Sequence, residues 1–238
     1  MCYNTLQQET QEMRIPIEHA EFIMAFRYRM IKIAYLTRFY IVYNIAKYGN
    51  IDGVINELYK MPELFRQLGE SITGKPVPDE IADLLLKYDH RLVELVDAMV
   101  SGDPVKADES IQALYELAGE IASGLAQFNH YWNKDLLEGF LLDYFKNVVA
   151  EVIAVNTNDY NKALDIFDQM VYKAVDLGDY YAEGFLHIAE ETHEKGTISL
   201  GELNSTKDMK LLAAQLTYLT RLYMVARITS IYGSSYIS

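Results

Sequence analysis

Three residue types that usually constrain a fold are scarce in this sequence. Its 238 residues include one cysteine, five prolines and 13 glycines. The single Cys2 cannot form an intrachain disulfide, which favours a reducing compartment and predicts a cytoplasmic location. Long stretches without proline or glycine are typical of long helices joined by short connections.

Long apolar segments without charge are also absent. The most apolar stretch, residues 22–46, is interrupted by the basic residues Arg27, Arg29, Lys32 and Arg38. A membrane-spanning helix needs about 18 or more consecutive apolar residues with few charges. The sequence therefore predicts no membrane span.

The motifs that mark common catalytic or cofactor sites are missing as well. The five histidines form no His-x-x-His pair, and there is no glycine-rich phosphate loop and no Gly-x-Ser-x-Gly. One cluster near a predicted helix end contains His187, Glu190, Glu191 and His193, and we interpret it as a solvated helix end. We therefore expect no catalytic residues and no cofactor.

Charge is unevenly distributed along this acidic chain, whose net charge is −13. Residues 1–48 hold six basic and four acidic residues, and residues 201–238 hold four and two. The residues between these ends hold 11 basic and 28 acidic residues. Such a surface makes nucleic acid a poor partner, and we interpret the acidic middle as a solvated face that could attract the basic ends.

A short internal repeat is the strongest pattern in the sequence. The run YLTRFY at residues 35–40 returns as YLTRLY at residues 218–223. Thr37 thus corresponds to Thr220, and Arg38 corresponds to Arg221; we predict structural or interaction roles for these four residues. The helix that carries the second copy must bury its apolar side chains, either beside the first helix of its own bundle or on a neighbouring molecule.

Hydrophobic periodicity predicts an all-α protein, an antiparallel bundle of about seven helices. No alternating strand pattern of useful length is present. We predict a bundle domain over residues 1–204 and a C-terminal helix within residues 205–238. The predicted helices cover residues 16–48, 50–73, 80–100, 105–127, 134–154, 159–193 and 205–232. The second begins at a cap, Asn50 or Asp52, and is kinked or split by Pro62. Asn133 and Ser205 are the predicted caps of the fifth and the seventh.

Several short motifs together resemble a known group of proteins. The sequence is similar, over roughly residues 28–186, to an uncharacterised bacterial helical-bundle family that is related to duplicated, metal-binding four-helix bundles of the ferritin-like kind. The motifs that carry the resemblance are LTR at residues 36–38, LYKMP at 58–62, LVELV at 92–96, GD at 102–103, NHYW at 129–132, Glu151 with Asp159-Tyr160, and GD at 178–179. The resemblance implies a ferritin-like core.

The resemblance also implies that a metal site has been lost. The family usually carries Glu-His before the Trp-Thr-Arg of its first helix, where this chain has Lys32 and Ile33. The corresponding residues of the second copy are Gln215 and Leu216. Lys32 would place a repelling positive charge beside a metal ion.

Two further histidine positions of the family fall on Tyr88 and Tyr144, whereas its acids remain as Glu151 and Asp179. Transition metals are held weakly by two carboxylates without imidazole ligands. We therefore expect no bound metal, and we name Glu151 and Asp179 as the ligands if one is present. We predict that the hydroxyl groups of Tyr88 and Tyr144 bond to neighbouring carboxylates, because a buried hydroxyl without a partner is costly.

Arg38 shares a predicted helix face with Ile31, Tyr35 and Val42. A buried guanidinium group must find acceptors, so we predict that Arg38 is at least partly buried and paired with an acid of the bundle. The candidate acids, in order of preference, are Glu151 and Asp179, followed by Asp89 and Asp143.

Three functions are compatible with these patterns. The favoured hypothesis is a non-enzymatic helical bundle that acts through protein–protein contacts as a self-assembling homo-oligomeric subunit. The alternative is a ferritin-like metal-binding protein in which Glu151 and Asp179 are residual ligands. The third is a small-molecule sensor with a tyrosine-lined pocket, since the chain has 19 tyrosines.

Overall fold

The chain folds into two compact units. One unit is Phe22–Thr192, here called the bundle unit, and the other combines Met1–Glu21 with His193–Ser238, here called the terminal unit. This computed structural model describes residues 14–47, 51–189, 197–199, 203–204, 208–218, 220 and 224. The predicted boundary after residue 204 falls inside the terminal unit.

The first helix, α1, covers Ile17–Ile45. Pro16 was expected in its first turn, but the structure places Pro16 at the end of a short strand. The helix is followed by a turn in which Lys47 adopts a positive φ of 55°, a conformation that cannot continue a right-handed helix. The predicted end at Tyr48 and Gly49 lies outside the described residues.

Pro62 separates two helices, as the sequence predicts. They are α2 (Asp52–Leu58) and α3 (Met61–Thr73), and Pro62 lies in the first turn of α3, where its missing N–H is not needed. The prediction of Asp52 as a cap is wrong, because Ile51 occupies the cap position and no side chain bonds to the helix end. Asn50, the other predicted cap, lies outside the described residues.

Four longer helices complete the bundle unit. They are α4 (Asp79–Ser101), α5 (Pro104–Phe128), α6 (Lys134–Asn156) and α7 (Tyr160–Ile188). Consecutive helices of this set pack side by side across short connections, so they run antiparallel. The prediction that Asn133 caps α6 is confirmed, since its side chain accepts a hydrogen bond from the Leu136 N–H at 2.9 Å.

The terminal unit contains a pair of three-residue strands, β1 (Arg14–Pro16) and β2 (Thr197–Ser199). They are antiparallel, with Ile15 opposite Ile198. The sequence predicted a loop over residues 194–204, because strands this short leave no alternating pattern to detect. Residues 208–218 are helical and are called the C-terminal helix below; the predicted cap Ser205 lies outside the described residues.

The helices and their packing confirm the all-α bundle class, while the ferritin-like core remains a prediction. The interior of the bundle unit is built from large apolar and aromatic side chains, among them Phe26, Leu92, Leu114, Trp132 and Tyr181. No helix among the described residues is long and apolar enough to cross a membrane.

Candidate functional site

A buried ion pair joins α1 to α6. Arg38 and Glu151 are 3% and 0% exposed, and the Arg38 Nη1 donates to the Glu151 Oε1. The same nitrogen donates to the carbonyl oxygen of Ala163 on α7 at 3.0 Å, and the guanidinium carbon lies 4.8 Å from the centre of the Phe167 ring. The structure therefore confirms that Arg38 is buried and that its partner, Glu151, is one of the two acids named first.

The buried surroundings of Glu151 disfavour its ionised form, whereas Arg38 stabilises that form. Burial raises the pKa of Glu151 to about 7, and the neighbouring guanidinium acts in the opposite direction by favouring the ionised form. The second carboxylate oxygen, Oε2, has no hydrogen-bond partner. Glu151 thus depends on Arg38 for its stabilisation, because a buried carboxylate is costly when unpaired.

Two tyrosines and a threonine form a buried hydroxyl cluster next to this pair. The Thr37 Oγ1 and the Tyr88 hydroxyl lie 2.9 Å apart. The Tyr144 hydroxyl is near both groups, but none of its neighbours is placed for a well-formed hydrogen bond. The prediction that both tyrosines bond to carboxylates is therefore wrong. The Tyr88 hydroxyl is hydrogen-bonded to Thr37, and the Glu151 carboxylate is bound by Arg38.

Asp89 of α4 is a buried acid that has no counter-ion among the described residues. It is 3% exposed, its Oδ2 has no hydrogen-bond partner, and burial raises its pKa to about 7. On the sequence alone, Asp89 is only a second-rank candidate partner for Arg38. A usable signal was present, because Asp89 lies on the same helix face as Leu85, Leu92 and Val96, where a carboxylate is out of place.

A small cavity lies beside Asp89, and its lining contains both polar and apolar side chains. Its volume is about 60 Å³, and its polar lining comes from Asp89, Tyr88, Tyr144 and Tyr181. Ile33 also lines it, so the three positions at which the resemblance places a histidine, on α1, α4 and α6, border one space. The lining residues Ile33 and Leu85 are partly exposed, which brings the cavity close to the surface.

The second predicted acid, Asp179, is paired elsewhere. The Arg27 Nη2 donates to the Asp179 Oδ2 at 2.9 Å, and the Arg27 Nε donates to Oδ1, so the pair is bidentate. Gly178 allows α1 to approach here, since a Cβ atom on it would lie 3.1 Å from the Arg27 Cα. Lys32 bonds to Glu57 of α2 at 3.1 Å, so its charge is used in a partly exposed ion pair.

These residues do not fit a transition-metal site. Glu151 and Asp179 are each held by an arginine, and the histidine positions of the resemblance are occupied by an aliphatic side chain and two tyrosines. In the part of the chain that the structure describes, no group of three or more His, Cys, Asp or Glu side chains is arranged to hold a metal ion. Of the cluster at the end of α7, His187 stacks on Tyr131 with ring centres 4.4 Å apart, and residues 190–193 lie outside the described residues.

The second copy of the repeat does not reproduce the environment of the first. Thr37 is fully buried, whereas Thr220 is exposed. Tyr35 and Tyr218 are buried in both copies. Arg221 lies outside the described residues, so its predicted role stays a prediction.

Comparisons with protein-family models, with curated proteins and with solved structures find no match to this chain.

Neutralising Asp89 is expected to stabilise the protein at alkaline pH. A carboxyl whose pKa is about 7 in the folded state and about 3.9 in the unfolded state favours folding less as pH rises through that window. We expect the stability gained by Asp89→Asn to be about 3 kcal/mol larger at pH 8 than at pH 5. Urea denaturation in sodium buffers at both values measures this difference.

The matched control is Asp83→Asn, which removes the same charge from an exposed position on α4. It should change stability by less than about 0.5 kcal/mol at either pH. Titratable neighbours of Asp89, namely Tyr59, Tyr88 and Tyr144, remain neutral over this range. If Asp89→Asn were less stable than wild type at pH 8, the acid would have a stabilising partner after all.

Proposed function

We propose that this chain is a non-enzymatic helical-bundle protein that self-associates through its C-terminal helix, in the cytoplasm that its composition favours. The observation that carries the proposal is a row of exposed apolar side chains on that helix. Met209, Leu212 and Leu216 are 68%, 57% and 58% exposed. Large apolar side chains grouped on one face are typical of interaction surfaces.

The spacing of this row favours another helix as the partner. Met209, Leu212 and Leu216 are three and four residues apart, and the sequence continues the pattern with Leu219 and Tyr223. Alternating steps of three and four are the a and d positions of a coiled coil, whose side chains pack into holes on a facing helix. We call this row the heptad seam.

The residues beside the heptad seam favour a second copy of the same chain. In a coiled coil the flanking e and g positions select the partner, because like charges across the interface repel. Here those positions are Asp208, Ala213, Gln215, Thr220 and Leu222, of which only Asp208, at the start of the row, is charged. Two identical helices can therefore face each other with little electrostatic repulsion along the row.

The internal repeat supports the same proposal. In α1, Thr37 and Ile41 are fully buried in the bundle unit, whereas their counterparts Thr220 and Met224 are exposed. The second copy thus leaves exposed two positions that are buried in the first copy. Pairing with another chain would bury that face.

The polar groups of the bundle unit support a role without catalysis. Glu151 and Asp179 are each paired with an arginine, so neither acid is free to bind a metal or transfer a proton. The ferritin-like alternative requires both guanidinium groups to move away from these acids. Metal analysis of the purified protein tests that alternative: a stoichiometric transition metal that disappears in Glu151→Gln would favour it over our proposal.

Leu216→Glu is expected to dissociate the assembly. Each of two paired helices would lose a buried leucine, worth about 1.5–3 kcal/mol, and would gain a charge in the seam. We expect the dissociation constant to rise by about 100-fold or more. Light scattering on the full chain, measured over a range of concentrations, follows the change from assembled to monomeric protein.

Thr217→Glu is the matched control, because Thr217 is the exposed neighbour of Leu216 but lies off the heptad seam. It adds the same charge to the same helix and should leave assembly within about threefold of wild type. A wild-type chain that stays monomeric at high concentration would contradict self-association. Equal effects of the two variants would show that net charge, and not the seam, controls assembly.

A further inference from the structure

The cavity beside Asp89 is a second candidate binding site, and it does not involve the heptad seam. Two of its lining groups are buried polar atoms without a well-formed hydrogen bond among the described residues, namely the Asp89 Oδ2 and the Tyr144 hydroxyl, and the latter lies near Thr37 and Tyr88. Both residues are more than nine-tenths buried. Buried polar groups are nearly always hydrogen-bonded, so the Asp89 oxygen in particular indicates a missing partner inside the cavity.

We propose that this cavity binds a small alkylammonium ion, with the Asp89 carboxylate as its counter-ion and the Tyr144 hydroxyl as a further acceptor. An ionised carboxylate only accepts hydrogen bonds, and an ammonium group only donates them. Asp89 makes no ion pair within the described part of the chain. A cationic ligand would supply the charge that this acid lacks.

The remaining lining fits the alkyl part and the charge of such an ion. Aliphatic and thioether side chains, including Met30 and Leu177, provide apolar contacts. Aromatic rings surround the same space, with Tyr88 stacked on Phe145 at 5.3 Å and Phe65 edge-on to Tyr181 at 5.1 Å. Ring faces attract ammonium groups, and this is how aromatic cages recognise methylated amines.

The size of the cavity limits the ligand. A volume of about 60 Å³ is less than half that of a cavity of about 150 Å³ that holds one benzene molecule. This admits an ion of two or three heavy atoms, such as methylammonium or ethylammonium, and excludes tetramethylammonium. A hydrated metal ion is a poor fit, because one carboxylate and a largely apolar lining cannot replace its oxygen ligands.

Thermal unfolding of the full chain in different chloride salts tests the proposal. A ligand this small binds weakly, with a dissociation constant on the order of 10 mM. At about 200 mM, methylammonium should raise Tm by about 4–7 °C over sodium at equal ionic strength. Tetramethylammonium should give no such rise. Carbon-13 methyl spectra should show shifts for Met30 and Met61, which line the cavity.

Two variants make the test specific to Asp89. Asp89→Asn keeps the size of the side chain but removes the counter-ion, so the methylammonium effect on Tm and on the methionine signals should disappear. Asp83→Asn should retain both effects. Equal Tm values in methylammonium and sodium would overturn the proposal, as would an unchanged response of Asp89→Asn to methylammonium. Water would then be the occupant of the cavity. Neither outcome bears on self-association, which is measured by light scattering.

Discussion

Replacing Arg38 by methionine is expected to lower the free energy of unfolding by about 3–5 kcal/mol, one of the two largest effects we predict. The variant leaves Glu151 fully buried with no cation beside it. The Ala163 carbonyl also loses its donor. Urea denaturation at pH 8, above the pKa of Glu151 of about 7, measures the loss when the acid would otherwise be ionised.

The double variant Arg38→Met/Glu151→Met separates the cost of a stranded charge from the value of the pair. Replacing a buried ion pair by apolar side chains of similar volume is often neutral or stabilising. We therefore expect the double variant to regain most of the stability lost by Arg38→Met. The resulting double-mutant cycle gives the coupling energy between the two residues.

An exposed arginine provides the control for this cycle. Arg91 pairs with Glu94 at 2.7 Å on the surface of α4, and exposed pairs contribute about 0–1 kcal/mol. Arg91→Met should therefore change stability by less than about 1 kcal/mol. If Arg38→Met unfolded at the wild-type urea concentration, the ion pair would not be needed for stability.

The burial of Arg38 could be predicted because the argument was local. Ile31, Tyr35 and Val42 define a helix face by their spacing, and all three are buried. A guanidinium group on such a face requires an acid, which restricts the choice to a few residues. Glu151 was named first, together with Asp179, only because of the family resemblance. It lies 113 residues from Arg38 in the sequence, and helical periodicity cannot identify a partner at that distance.

The partners of the other polar groups could not be predicted in this way. Asp179 pairs with Arg27, whose place in the sequence indicates no partner. Tyr88 pairs with Thr37 and not with a carboxylate. Both outcomes depend on how α1 is placed against α4 and α7. Sequence periodicity shows which face of a helix is buried, but it does not show which residues of a neighbouring helix lie opposite that face.

The same limit explains the cavity and the strand pair. Asp89, Tyr144 and Ile33 come from three helices, so the space between them exists only once the helices are packed. The strands β1 and β2 are separated by most of the chain, and three residues each are too few for an alternating pattern. Long-range packing, and not local preference, determines these features.

Gly184→Ala carries the second large predicted effect. A Cβ atom at this position would lie 1.9 Å from the Trp132 Nε1, far inside van der Waals contact. Trp132 is fully buried, and its Nε1 donates to the Tyr180 carbonyl at 3.0 Å. The indole must therefore move, which breaks this bond and disturbs the packing against Phe185. We expect a loss of about 3 kcal/mol or more in the free energy of unfolding.

The single tryptophan of the chain makes the displacement directly measurable. Trp132 fluorescence should shift to longer wavelength in Gly184→Ala, because the displaced indole gains contact with water. Urea denaturation followed by circular dichroism should give the accompanying stability loss independently of that signal. A variant with wild-type stability and unchanged emission would show that the indole does not pack against α7 at this glycine.

Gly139→Ala is the control that separates this clash from the general effect of adding a methyl group to a helix. Gly139 is an exposed residue inside α6, and a Cβ atom there would meet nothing within 4 Å. Alanine restricts the unfolded chain and has the higher helix propensity, so this variant should be more stable than wild type by about 0.5–1 kcal/mol. The same substitution is thus expected to have opposite signs at two helical glycines, because only Gly184 has a ring where the methyl group would go.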